Sequence, residues 1–266
     1  MDMQLRGRSA LITGGSKGIG FGIARLLAEE GCNVHLVARS AGELEQARAD
    51  IRGRADVQVD VHPLDLSQRG CAADLVERCG DVDILVNNAG STPRGTLDEI
   101  DDERLRAAFD LKVFGYIDMC RHFFPRMKAR RSGVIINILG NGGERLDAGY
   151  IAGAACNASL MAFTRALGGT SADVGVRVVG VNPGPVATER LVGLMRKEAG
   201  TVFGDADRWE ELGRTFPFGR AATVDEIAAM VVLLASDRSS YTTGTIVTID
   251  GGMTNRGSLI AAAPGP

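Results

Sequence analysis

Short apolar runs recur along the chain at 8–13, 33–38, 56–62, 83–87, 133–139, 175–182 and 245–249. Between them the apolar positions open to helical spacing, near 18–30, 41–52, 67–79, 101–130, 150–173 and 223–235. The runs are apolar almost throughout and do not alternate, so both faces of each strand are expected to be buried. Buried-type strands alternating with helices predict an α/β fold, with a parallel sheet covered on both sides. No Pro/Gly/Ser-rich linker divides the pattern and no segment repeats, so residues 1–256 read as one domain. Residues 257–266, ending Ala-Ala-Ala-Pro-Gly-Pro, read as a flexible tail unless a partner holds them. The stretch 188–215 is the longest without a strand and holds the only tryptophan, Trp209. It follows the sixth strand, where a segment of this fold class covers the ligand crevice.

Composition narrows the partners. Of 266 residues 45% are apolar and 24% charged, as in soluble globular proteins. A net charge of −3 offers no basic face to nucleic acid or an anionic membrane. Cys32, Cys71, Cys79, Cys120 and Cys156 are scattered without a CxxC pair, which predicts reduced thiols. The opening Met-Asp-Met-Gln-Leu-Arg-Gly-Arg lacks the apolar core of a signal peptide. No apolar run approaches the ~20 residues that span a bilayer. A cytoplasmic protein is expected, with a small-molecule substrate and neither a nucleic-acid nor a membrane partner. His35, His62 and His122 do not form a metal-ligand spacing, and no metal is expected.

The candidate chemistry begins after the first strand. Residues 13–20 read Thr-Gly-Gly-Ser-Lys-Gly-Ile-Gly and lead into an amphipathic helix. Gly14, Gly18 and Gly20 allow a tight turn and close approach of backbone to a pyrophosphate, which the helix N-terminus then favours. Further marks follow in order: Asp65-Leu66, Asn87-Asn88-Ala89-Gly90, Asn182-Pro183-Gly184 with Thr188, and Asp250-Gly251-Gly252.

These motifs resemble the short-chain dehydrogenase/reductase family over residues 6–252. The resemblance implies a single-domain Rossmann-type doubly wound parallel sheet of about seven strands, binding NAD(H) or NADP(H). It also implies a homodimer or homotetramer formed through helices near 101–130 and 150–173. Carried over, Gly14, Ser16, Lys17, Gly18, Ile19 and Gly20 form the glycine loop. Asp65 and Leu66 meet the adenine, and Asn88, Ala89 and Gly90 line the cofactor. Pro183, Gly184 and Val186 follow, and Thr188 holds the carboxamide. At the end of the second strand stand Ala38, Arg39 and Ser40, with no acidic residue to bind a ribose 2′-hydroxyl. Arg39, Ser40 and Lys17 suit a 2′-phosphate, which favours NADP(H) over NAD(H). The alternative is that both cations are solvated surface charges.

The family's proton-handling side chains are missing. Registered on Ala158-Ser159-Leu160 and the residues after it, its tyrosine falls at Gly153 and its lysine at Asn157. Its serine falls at Gly140, and its asparagine of the central helix at Lys112. Glycine offers no proton and an amide does not titrate usefully. Two glycines beside the nicotinamide are expected to leave space for a bulkier ligand or for water. Tyr150 and Lys112 are the substitutes. Tyr150, if it shares the helix of Gly153, sits ~4.5 Å lower along the axis and tilts away, so packing at the helix entrance is the plainer expectation. Lys112 shares a core-facing stripe with Leu105, Phe109, Tyr116 and Met119. It either snorkels to solvent or reaches the emptied site as a cation or acid/base. Asn137, Asn141 and Glu144 flank the same crevice, and Glu144 is a candidate base. Two functions stay open: an oxidoreductase with a non-standard proton route, or a non-catalytic NADP(H)-binding sensor or supporting subunit. A lyase, dehydratase or isomerase on the same fold has no residue in its favour.

Overall fold

A computed structural model describes residues 2–256, so the expected tail at 257–266 lies outside the described residues. Seven strands form one parallel sheet: β1 Ser9–Thr13, β2 Asn33–Ala38, β3 Val59–Pro63, β4 Ile84–Asn87, β5 Val134–Ile138, β6 Arg177–Pro183 and β7 Ile246–Ile249. Their order is β3-β2-β1-β4-β5-β6-β7. The chain therefore winds outward in one direction from β1 and then in the other from β4. This doubly wound α/β arrangement leaves a crevice at the carboxyl ends of β1 and β4, where the order reverses.

Adjacent strand residues explain the two-sided core. Ile12 and Leu36 pack beneath helices α1 (Gly18–Glu29) and α9 (Val224–Ala235), with Ile23, Leu27 and Val231. Leu11, Leu85 and Ile135 face the other way, onto α3 (Cys71–Cys79) and α5 (Gly115–Arg130), with Leu75 and Phe123. A strand so enclosed has no room for polar alternation. Helix α2 (Ala41–Arg52) starts at the Ser40 cap, and α9 carries a capping box between Thr223 and Glu226.

One expectation changes. The single helix over 101–130 is α4 (Asp102–Ala108), a π-helical segment Phe109–Phe114, and α5. A π turn takes in extra residues per turn, so it rotates the helical stripe and buries Lys112 and Val113 side by side. The strandless stretch after β6 holds α7 (Glu189–Phe203) and α8 (Trp209–Gly213), while α6 covers Ile151–Ser171. Among the described residues no helix is long and apolar enough to cross a membrane.

Candidate active site

A cleft of about 1040 Å³ runs across the carboxyl ends of the strands. Its floor begins at the glycine loop, where Gly14 has φ 65° and Gly18 φ 57°. Gly20 stands behind this loop: a Cβ there would lie 2.2 Å from the Gly14 carbonyl oxygen, so only glycine lets α1 start so close to β1. The loop is braced from β4. Thr13 Oγ1 accepts the amides of Asn88 and Ala89 at 2.8 and 3.0 Å, and Asn88 Nδ2 donates to the Thr13 carbonyl at 3.0 Å. Gly14, Ser16, Lys17, Gly18 and Ile19 line the cleft, as do Asn88, Ala89 and Gly90. Asp65 and Leu66 form one wall, and Pro183, Gly184, Val186 and Thr188 another. The Asp65 carboxyl accepts both the amide and hydroxyl of Ser67 at 3.0 and 2.8 Å, which hold it below the ordinary carboxylate range. Thr188 caps α7, accepting the Leu191 amide at 3.4 Å. Thus Gly20, expected to line the cleft, is a supporting residue and not a lining one.

The far end past β2 holds Arg39, Ser40 and Lys17, as expected, but also Glu43 from the first turn of α2. Lys17 Nζ donates to Glu43 Oε1 at 2.8 Å and Ser16 Oγ to Oε2 at 3.2 Å. The lysine contact keeps this carboxylate below its ordinary pKa. Nothing in the strand-end pattern announced Glu43. The signal lay in helix spacing, since the Ser40 cap places the third residue of the helix back over the loop.

The opposite end of the cleft holds Lys112 and Tyr150. Lys112 is 8% exposed, and its Nζ donates to the Leu139 carbonyl at 2.9 Å. Its aliphatic stem runs beneath Gly90, where a Cβ would come within 3.1 Å of Cδ. Burial lowers its pKa to about 8, and the Arg190 charge pushes the same way. Lys112 lines the cleft, so it does not snorkel to bulk solvent.

Tyr150 also lines the cleft, which corrects the expectation that it packs away at the helix entrance. It precedes α6 with φ −139° and ψ 39°, outside helical geometry, so the backward tilt of a helical Cβ does not bind it. Its ring instead folds across Gly153, where a Cβ would lie 2.0 Å from Tyr150 Cζ. The space expected beside Gly153 is therefore filled by the Tyr150 ring. The hydroxyl shares a short hydrogen bond with Thr92 Oγ1. Arg190 Nη2 donates to the Thr92 carbonyl at 3.0 Å, and the Arg94 guanidinium lies 5.8 Å from the Tyr150 ring centre. Thr92, Arg94 and Arg190 were not singled out from sequence; Thr92 and Arg94 lie in the stretch after β4 and Arg190 in the first turn of α7.

Behind this surface lies Asn157. It is 1% exposed, and its amide oxygen has no hydrogen-bond partner. A Cβ on Gly140 would approach its Nδ2 to 3.0 Å. Gly140, Gly153 and Asn157 thus meet at one place, as the register of α6 required. The other three flanking candidates serve the fold. Asn137 is fully buried between Asn87 and Thr164, at 2.9 Å from each. Asn141 reaches Asp250 at 3.5 Å. Glu144 accepts from Asn182 at 2.9 Å and Thr248 at 3.1 Å, tying the loop after β5 to β6 and β7. A carboxylate so engaged, outside the cleft lining, is not placed to act as a base. Away from the cleft, β2, β3 and α3 unite His35, His62 and Cys79, which are far apart in sequence.

The glycine loop, the β4 brace and the switch-point cleft together form a complete dinucleotide cradle. A family model described as enoyl-(acyl carrier protein) reductase matches residues 14–254. The 3-oxoacyl-[acyl-carrier-protein] reductase FabG of Chlamydia muridarum is 32% identical over 257 residues, covering 95% of this chain and all of that protein. The oxidoreductase UcpA of Salmonella typhimurium is 34% identical over 256 residues, covering 94% of this chain and 96% of that one.

The chain belongs to the short-chain dehydrogenase/reductase family.

Among solved structures, the L-sorbose reductase of Gluconobacter frateurii, complexed with NADPH and L-sorbose, superposes with a TM-score of 0.90 at 29% identity. The match covers 96% of this chain and all of that one. The oxidoreductase family label fits the nicotinamide cradle.

Proposed function

We propose that the protein is an NADP(H)-dependent oxidoreductase of carbonyl and alcohol groups whose proton chemistry has moved to Lys112. One observation carries this reading. Lys112 is a buried ammonium in the cofactor cleft, and among the described residues its one acceptor is the Leu139 carbonyl. An ammonium has three donors. The remaining two suit a substrate oxygen or a ribose hydroxyl beside the nicotinamide.

When bound, the nicotinamide supplies or accepts the hydride. The chain's own groups do the rest. Lys112 gives a proton to the substrate oxygen during reduction and recovers one from solvent. The paired hydroxyls of Tyr150 and Thr92 orient that oxygen. Arg190, held on Thr92, keeps the potential there positive and stabilises developing negative charge. Arg94 and Arg190 also favour carbonyl compounds that carry a carboxylate. The family's homodimer or homotetramer remains the expected assembly. Phe114, 58% exposed on the helical segment the resemblance assigns to subunit contact, fits such a face.

The pH profile tests the assignment. With a pKa near 8, the acid is protonated below that pH and lost above it. Reduction, measured as kcat/KM, is expected to fall about tenfold per pH unit above pH 8, and oxidation to rise up to the same point. Stability changes in the window above that point. The unfolded lysine binds its proton more tightly than the folded one, so folding stability rises as pH climbs from about 8 towards 10.5. A reduction profile flat from pH 7 to about 9 would remove Lys112 from the role.

Cofactor choice is read from the other end. Arg39 and Lys17 favour the 2′-phosphate, while Glu43 competes for Lys17. Glu43→Gln is expected to tighten NADPH about 3–10-fold with NADH affinity unchanged, and Arg39→Ala to weaken NADPH about 10–100-fold. Titration calorimetry with both cofactors checks this. Equal affinity of the wild type for NADH and NADPH would contradict the preference.

A second reading, an NADP(H)-binding protein without turnover, rests on Gly140, Gly153 and Asn157. It predicts tight NADPH binding and no nicotinamide consumption with any carbonyl.

A further inference from the structure

The sheet edge away from the cofactor cleft carries a second cluster. His35 on β2 and His62 on β3 lie on the same face, because Val37, two residues after His35, pairs with His62 across the parallel register. Helix α3 crosses that face and ends at Cys79. His35 Nδ1 is 3.2 Å from His62 Nε2, and His62 Nε2 is 3.5 Å from Cys79 Sγ. All three ligand atoms lie within 4.8 Å of one another. In tetrahedral zinc sites, Zn–N near 2.0–2.1 Å and Zn–S near 2.3 Å put nitrogens about 3.3 Å apart, and nitrogen and sulfur about 3.6 Å apart.

The geometry points to a zinc-binding site formed by His35, His62 and Cys79, with water as the fourth ligand and Asp60 beside it. Asp60 Oδ2 stands 3.8 Å from His35 Nδ1 and is steadied by Gln58 Nε2 at 2.7 Å. Two imidazoles and one thiol from two strands and a helix end are a zinc-type set. Hydrogen bonds alone would account for each pair separation. They do not require three ligand atoms to close on a single point. Asp60 supplies a negative charge nearby, against the positive charge of Arg78.

Binding is a simple exchange. The Sγ–H bond of Cys79 breaks and its proton goes to solvent as the Sγ–zinc bond forms. His35 binds through Nδ1 and His62 through Nε2, each keeping its other ring proton, and zinc stays divalent. The bound ion would pin β2, β3 and α3 together. Because β3 runs on into Leu64 and Asp65, it would also stiffen the adenine wall of the cleft.

Cobalt(II) reports the site without any enzyme assay. Untagged full-length protein, stripped by chelator and kept reduced, is titrated with cobalt(II) and then with zinc. The expected result is saturation at one equivalent, intense tetrahedral visible bands and a thiolate-to-cobalt band in the near ultraviolet, all displaced by zinc. Zinc in excess is expected to raise Tm by about 5 °C or more. Cys79→Ser should lose the thiolate band, and His62→Ala the tetrahedral bands, whereas Cys71→Ser should keep both. Weak octahedral absorption in the wild type, or a thiolate band that survives Cys79→Ser, would overturn the proposal. The wild-type spectrum decides the matter even if a variant fails to fold.

Discussion

Lys112→Met is expected to lower kcat for carbonyl reduction by about 10²–10⁴-fold while leaving NADPH affinity within about threefold. Methionine keeps the length of the stem beneath Gly90 and removes only the ammonium. The change leaves the Leu139 carbonyl without its donor, a cost of about 1–3 kcal/mol. Removing a buried charge offsets much of that, so the variant should fold. Lys112→Arg separates two contributions. Its guanidinium keeps the positive charge but cannot give up a proton near neutral pH. If Lys112 acts as the acid, the arginine variant is as slow as the methionine one. If it acts by charge alone, arginine restores most of the rate. Steady-state kinetics with matched NADPH titrations distinguish these results.

Gly153→Ala is expected to reverse sign with its background. In an ordinary helix interior, alanine for glycine stabilises by about 1 kcal/mol. Here the new Cβ would lie 2.0 Å from Tyr150 Cζ, so the ring must leave. In the wild type the substitution should therefore destabilise by about 1–3 kcal/mol and lower kcat/KM about 10–100-fold. In a Tyr150→Ala background it should stabilise, and add no further kinetic loss. A double-mutant cycle on denaturant unfolding and kcat/KM measures this coupling. Additive effects would show that the ring and Gly153 act independently, and Tyr150 would lose its place at the substrate.

The layered fold was legible because Leu11 and Ile12, and their counterparts on other strands, leave no polar face to expose. The glycine loop was legible because its residues are adjacent in sequence and each answers to one backbone requirement. The stripe put Lys112 on the core side but left open whether it snorkels out or reaches the site, and the π turn that buries it was not legible, since no residue type marks an extra residue in a turn. Tyr150 was misplaced because its direction depends on where α6 begins. One residue outside helical geometry frees the side chain that a helix would have turned away. The His35, His62 and Cys79 cluster arises from tertiary register, its members 27 and 17 residues apart. Such groupings exist only once parallel strands are laid side by side.

The most direct measurement is NADPH consumption, followed by nicotinamide absorbance, for the wild type against a broad panel of ketones. The panel includes 3-oxoacyl thioesters, ketoses and carboxylate-bearing carbonyls, with NADPH binding measured on the same preparation. The account predicts turnover with at least one carbonyl, lost in Lys112→Met while NADPH still binds. Turnover that survives Lys112→Met, or tight NADPH binding with no consumption across the panel, would contradict it.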